Sequence, residues 1–137
     1  MTGKVFSVDL DVRYKDLDIH RHVNQAVFFT YFEEIRNRFF QEIFGISGLD
    51  GFPLIMASNS CKYLRQIRLD NKIRLYAWIH KIGSKSFVQR YKAVDRNDES
   101  VVYAQSEAAL VWFDQRANES KPIPEEVKKR LAEYQDS

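Results

Sequence analysis

The chain has almost no means of cross-linking itself. Cys61 is its single cysteine, so no intramolecular disulfide can form, and a reducing compartment suits it better than secretion. A charged-then-apolar leader is also missing at the start, which adds to the expectation of a cytoplasmic protein. The apolar runs are short and broken by charge, well under the roughly 18–20 residues that cross a bilayer. No membrane span or membrane partner is expected. A surplus of one charge is lacking too: 21 basic residues face 19 acidic ones, for a formal net charge of +2. Phosphate-backbone binding usually leaves a clear basic excess, so nucleic acid is not an expected partner. Repeats, low-complexity segments and linkers are absent, and residues 1–137 are expected to form one domain.

Aromatic and aliphatic residues are plentiful instead. Hydrophobic residues make up 45% of the chain and aromatics 14%, with 10 Phe and 7 Tyr. That composition excludes disorder. A chain of 137 residues buries about two-thirds of its unfolded surface without help from disulfides or a structural metal.

"VFSVDLDVRY" alternates Val8, Leu10, Val12 and Tyr14 against Asp9, Asp11 and Arg13, the period-2 pattern of a half-buried strand ending near Tyr14. After a polar loop, Phe28, Phe32, Ile35, Phe39 and Ile43 recur at steps of three and four. "AVFFTYFEEIRNRFFQEIF" is therefore a helix, with Asn24 as N-cap and Gly45 at its end. Phe29, Tyr31, Phe40 and Phe44 lie off the main stripe, leaving polar cover only around Glu33, Arg36, Asn37 and Gln41. A helix this apolar must be surrounded, and a curved sheet is the natural wrap. "GLDGFP" marks a loop. "LIMASNSCKYLRQIRL", "KIRLYAWIHKI", "SFVQRYKAV" and "VVYAQSEAALVWF" follow as strands, with Gly83-Ser84 as a type II′ hairpin loop. No helix intervenes, so these four are expected to be consecutive antiparallel neighbours. Val127, Leu131 and Tyr134 give "PIPEEVKKRLAEYQ" one apolar face, a short C-terminal helix. The class is α+β, a five-stranded antiparallel sheet around a long central helix.

Asp18, His20, His22, Asn24 and Gln25 crowd the loop directly before that helix. Helix first turns carry unpaired N–H groups and partial positive charge, so a carboxylate placed there sits beside a ready oxyanion donor. Other readings of the same residues are a turn Asp18, a loop His22 and an Asn24 that only caps. His20 and His22 with one acid lack a spaced third histidine, and no metal site is expected. Cys61 is read as a small buried hydrophobe.

"VRYKDLDIHRHVNQAVFFTYFEEIR" resembles the signature of hotdog-fold acyl-CoA thioesterases of the 4-hydroxybenzoyl-CoA thioesterase type, with its D-x-x-G-H-V-N loop ahead of the central helix. "KSFVQR", Lys85 to Arg90, is similar to that family's strand hairpin. The resemblance runs from about Val5 to Phe113. It implies a hotdog fold and hydrolysis of an acyl-CoA to free acid and CoA. It places Asp18 as nucleophile or general base, the backbone amide of Gln25 facing the thioester carbonyl, and His22 and Asn24 in the motif beside them. Two departures stand out: Arg21 replaces the usual Gly, and Phe28 replaces a frequent Tyr. The aromatic helix then supplies an acyl pocket, with Phe28, Tyr31 and Phe32 expected against substrate. Lys62, Arg65, Arg68, Lys85, Arg90 and Lys92 are candidates for the CoA phosphates, with Lys62, Lys85 and Arg90 favoured. CoA is part of the substrate, and no separate cofactor is expected. The resemblance also implies a homodimer, and a homotetramer of paired dimers. Tyr76, Trp78 and Trp112, expected on strand faces away from the helix, suggest the same. Alternatives are a thioesterase acting on acyl-carrier protein and a non-catalytic acyl-CoA binding module.

Overall fold

A computed structural model describes residues 3–45 and 53–136. The Gly/Pro-marked loop expected at 48–53 lies outside the described residues except for Pro53. Strand β1 spans Phe6–Asp11, a 3₁₀ turn covers Tyr14–Asp16, and helix α1 runs Gln25–Phe44. Strands β2 (Leu54–Tyr63), β3 (Lys72–Ile82), β4 (Ser86–Asp95) and β5 (Val102–Asp114) follow. The short β6 (Glu119–Ser120) pairs with β5, and α2 occupies Glu125–Ala132. This is the expected α+β wrap of a sheet around one long helix.

Both ends of α1 are set by local chemistry. The Asn24 side chain accepts from the Ala26 N–H at 2.9 Å, which satisfies one of the first-turn donors. Gly45 takes φ 66° and sends its N–H to the Gln41 carbonyl, a left-handed stop that glycine adopts without a Cβ clash. Between the caps, Phe28, Phe32, Ile35, Phe39 and Ile43 are buried as their spacing predicts. Each such side chain contributes about 1.5–3 kcal/mol of burial. In β3 the alternation is just as plain: Ile73, Leu75, Ala77 and Ile79 are fully buried against the helix, while Arg74, Tyr76, Trp78 and His80 face outward.

The sheet order is β1-β3-β4-β5-β2, antiparallel throughout. This corrects the expected consecutive order, because β2 lies beside β5 and not beside β3. β2 also stops at Tyr63, short of the long strand expected to Leu69. There the backbone N–H groups of Leu64 and Arg65 both turn to the Tyr103 carbonyl, and residues 64–71 leave the sheet to cross in front of α1. Ile67 is buried on that crossing.

Four further expectations are corrected. β1 ends at Asp11, since the 3₁₀ turn follows it. Trp112 faces the helix, its ring edge-on to Phe44 at 5.5 Å, because Trp112 continues the inward row of Ala104, Ser106, Ala108 and Leu110. Arg36 is buried, at 7% exposure, and not part of the polar cover. Gly83 lacks the positive φ of a type II′ turn: its N–H meets the Ser86 carbonyl at 2.7 Å, so Ser84 and Lys85 are the turn centre. A Cβ there would lie 3.2 Å from that same carbonyl oxygen.

β2 forms one edge of the sheet and is exposed along most of its length, Ile55 and Met56 included. At the other side β3 runs on past the start of β1. There the chain's C-terminal segment binds it: Ile79 donates to the Tyr134 carbonyl and accepts from the Asp136 N–H. The Asp136 carboxylate meets Trp78 Nε1 at 3.0 Å and His80 Nδ1 at 3.1 Å. Gly3 packs so tightly on this strap that a Cβ would fall 2.5 Å from the Gln135 carbonyl oxygen.

Candidate active site

The loop from Leu17 to Val23 is a miniature hairpin. Leu17 and Val23 form a bridge, the Asp18 N–H donates to the His22 carbonyl at 2.9 Å, and the Arg21 N–H donates to the Asp18 carbonyl at 3.0 Å. A three-residue loop of this kind ends in a left-handed residue, and Arg21 takes that place with φ 64°. This is the position where the resembling motif carries Gly. The substitution leaves the conformation in place and adds backbone strain.

Two anchors hold the hairpin. On the crossing segment, the Ile67 carbonyl accepts from the Val23 N–H, and Arg68 bridges His22. From below, Asp16 is buried at 3% exposure. Its carboxylate accepts from the Arg13 N–H at 2.9 Å, the Arg13 guanidinium at 3.2 Å and the Tyr31 hydroxyl at 2.7 Å, while its carbonyl takes the Asn24 N–H. Burial alone would raise the Asp16 pKa, but the Arg13 and Tyr31 hydrogen bonds outweigh it and hold the carboxyl below its ordinary value. Burial and the same carboxylate push the Tyr31 phenol far up. No local pattern marks Asp16 in the sequence, because its partner Tyr31 lies 15 residues on, beyond the loop and well inside α1.

Within this frame Asp18 Oδ1 accepts from the backbone N–H groups of His20 at 2.9 Å and His22 at 3.4 Å. Oδ2 has no hydrogen-bond partner among the described residues. The carboxylate lines a cleft of about 770 Å³ together with His22, Asn24, Gln25 and Phe28. Tyr63, Leu64, Arg65 and Gln66 form the opposite wall. The Tyr63 hydroxyl donates to the Gln25 carbonyl at 3.0 Å and its ring stands edge-on to Phe28 at 5.1 Å. Asn24 occupies the Ala26 N–H, and Val27 donates to the Asn24 carbonyl. The Gln25 N–H has no acceptor among the described residues, so it is the free first-turn donor beside the cleft. A second cleft of about 680 Å³ lies across the hairpin, between Asp18, His20 and His22 on one side and Arg68 and Leu69 on the other.

The other expected substrate residues are elsewhere. Tyr31 and Phe32 are buried in the core, Phe32 stacked on Tyr91 at 5.6 Å, and neither lines the cleft. Lys62 lies on the outward side of exposed β2. Arg90 is on the outer sheet face, paired to Glu107 at 3.0 Å. Lys85 sits at the β3–β4 turn, a full β4 length of 10 residues from the loop end of the sheet, about 30 Å away. Only Arg65 of the basic candidates is on the cleft wall. Cys61 is half-buried, and burial pushes its thiol up, away from a nucleophile's range.

The family model of the thioesterase-like superfamily matches residues 12–131. This chain belongs to the thioesterase-like superfamily. An uncharacterised Bacillus subtilis protein, YsmA, is 30% identical over 123 residues, which is 83% of this chain and 84% of that one. A thioesterase from Thermus thermophilus, solved with coenzyme A and zinc, is 28% identical, with a TM-score of 0.80 over 95% of this chain and 92% of its own. A predicted thioesterase from Bacillus stearothermophilus has the same fold, with a TM-score of 0.90 at 20% identity over 97% of this chain and 98% of its own. The expected enzyme class, a thioester hydrolase, and the hotdog fold both stand with this membership.

Proposed function

We propose that the protein hydrolyses the thioester of an acyl-CoA, with Asp18 as the reacting carboxylate and the Gln25 N–H as oxyanion donor. One observation carries this reading: a carboxylate with a free oxygen and a helix-end amide without an acceptor line the same cleft. A thioester carbonyl seated there would develop negative charge toward the positive end of α1, where an N–H and the helix dipole both favour it. Asp18 then acts in one of two ways. As general base it takes a proton from water while the hydroxyl adds to the carbonyl carbon; the C–S bond breaks, and the proton passes to the departing thiolate. As nucleophile it forms a mixed anhydride with loss of the thiolate, and water then cleaves the anhydride. The two backbone N–H groups on Oδ1 fix the carboxylate's orientation for either route. His22 and Asn24 hold the loop and the helix end around it.

The retained left-handed turn at Arg21 supports an enzyme over a non-catalytic acyl-CoA binder, since the loop keeps the shape that a glycine there would allow. The basic residues far from the cleft fit a homodimer, in which a second copy brings its own cations toward the CoA phosphates. The exposed edge of β2 is the surface that supports such pairing, and paired dimers would give a tetramer. A cytoplasmic site of action accords with the single cysteine, and no described helix is long and apolar enough to cross a membrane.

The test is free-thiol release from short, long and aromatic acyl-CoAs by wild type and Asp18→Asn. The variant should lose about 10²–10⁴ of the turnover while its circular dichroism and melting stay the same. Wild-type binding without turnover on any acyl-CoA would overturn the reading. Single turnover in ¹⁸O water reveals the anhydride when water cleaves it at the Asp18 carbonyl: label in Asp18 establishes the nucleophilic route, since general-base attack places label only in the product acid.

A further inference from the structure

The Tyr63 hydroxyl makes a bond that neither of its partners needs. Tyr63 is the last residue of β2, and its side chain reaches across to a residue 38 positions back in the chain, where the hydroxyl donates to the Gln25 carbonyl at 3.0 Å. As the first residue of α1, Gln25 already offers that carbonyl to the helix ladder. The hydroxyl is equally well off without it, since Tyr63 is 42% exposed and water would serve as acceptor. A bond of this kind orients its partners more than it satisfies them.

What it orients is the free donor of the candidate active site. The peptide group joining Gln25 to Ala26 is held at both ends by side chains: its N–H donates to Asn24 Oδ1 at 2.9 Å, and its carbonyl accepts from Tyr63. The peptide group before it has its Asn24 carbonyl on the Val27 N–H at 2.9 Å, and its own N–H, that of Gln25, is the one left open to the cleft. The peptide planes on both sides of the Gln25 Cα are thereby set, and a helix end that would otherwise fray is pinned. Tyr63 is itself firmly placed. Its ring stands edge-on to buried Phe28 at 5.1 Å, it pairs with Ala104 on β5, and directly after it the N–H groups of Leu64 and Arg65 both bind the Tyr103 carbonyl. Tyr103 is buried in turn, with its hydroxyl on the Asp95 carboxylate at 2.8 Å. The clamp on α1 is therefore anchored in the body of the sheet.

We propose that Tyr63 is a positioning residue for the hydrolysis: its hydroxyl holds the first turn of α1 so that the Gln25 N–H meets the thioester oxygen as charge develops there. An oxyanion donor is worth most when it is aimed before the charge arrives, because no reorganisation is then left for the reaction itself. Tyr63 acts through Gln25 and not on the substrate. The inference rests on the acyl-CoA reading above, and the experiment separates the two.

Tyr63→Phe keeps the ring on Phe28 and removes only the hydroxyl. On the acyl-CoA that wild type hydrolyses best, its kcat should fall about three- to tenfold, the size of one neutral hydrogen bond, with KM little changed, because the loss is felt as charge develops and not on binding. A second readout uses a ketone analogue of that acyl-CoA, in which CH₂ replaces the thioester sulfur and the carbonyl remains. On binding it, the Gln25 amide proton of wild type should move downfield in the NMR spectrum as it donates to the ketone oxygen, and the movement should shrink in Tyr63→Phe. A variant that melts lower yet keeps the wild-type kcat, or a Gln25 shift that is absent in wild type or equal in both proteins, overturns the inference even when acyl-CoAs are hydrolysed. A Gln25 shift that depends on Tyr63, without turnover of any acyl-CoA by wild type, would instead overturn the hydrolase reading and leave the positioning of the amide standing.

Discussion

At the residue scale, two carboxylates separated by a single residue do different work. Asp18 points an oxygen into a cleft, while Asp16 is enclosed and ties Arg13 and Tyr31 to the loop. Asp16 therefore belongs to the support of the site. Because its carboxyl is held below its ordinary value of 3.8, it contributes stability that is fully present above that pH and lost as pH falls through the lower, folded value. Asp16→Asn should cost about 1–3 kcal/mol at pH 7, the usual size for a buried acceptor that loses its charge-assisted bonds. In urea unfolding the gap between wild type and variant should narrow steadily below about pH 4, and a gap independent of pH would count against this account. Tyr31→Phe, which removes only the 2.7 Å bond, should give the smaller loss of the two.

At the element scale, much of the fold was legible because short-range patterns coincide with burial. The period-2 run of β3 and the capped stripe of α1 came out at the expected residues, from Lys72 to Ile82 and from Asn24 to Gly45. Placement of β2 was hidden: it depends on a crossing segment whose hydrogen bonds go to residues distant in the chain, Tyr103 and Val23. The inward turn of Trp112 and the burial of Arg36 were illegible for a related reason, since each is decided by a neighbouring element and not by its own. The candidate loop was easier to read, because Asp18, His22, Asn24 and Gln25 are local to one hairpin and one helix end. Its weak point is Arg21. Replacing it with glycine should remove left-handed strain of about 1–2 kcal/mol against an entropic cost of about 0.5–1 kcal/mol. Arg21→Gly should therefore unfold at slightly higher urea, with turnover retained, whereas a clear loss of stability would mean that the Arg21 side chain holds the loop.

At the scale of the whole molecule, the two sides of the sheet are unlike. β1 is short and carries Asp9 and Asp11, engaged with Arg74, Lys72 and Arg96, which is how natural sheets blunt an edge. β2 is long and exposes Ile55 and Met56. If the proposed homodimer pairs through this edge, replacing both with lysine should shift the light-scattering mass from that of two chains to that of one. Turnover should fall with it if a second copy completes the CoA site, and an unchanged mass would place the pairing surface elsewhere. The strap of residues 134–136 along β3 gives this asymmetry a further meaning. With that stretch of backbone already taken and β1 charged, β2 is, among the described residues, the edge left open to another sheet. In the proposed homodimer, pairing through β2 would be isologous: β2 would meet its own copy across a two-fold axis, and both open edges would be used up at once. Growth through that pairing would close at two chains, so a long open edge strand with Ile55 and Met56 exposed on it would not become the seed of a filament.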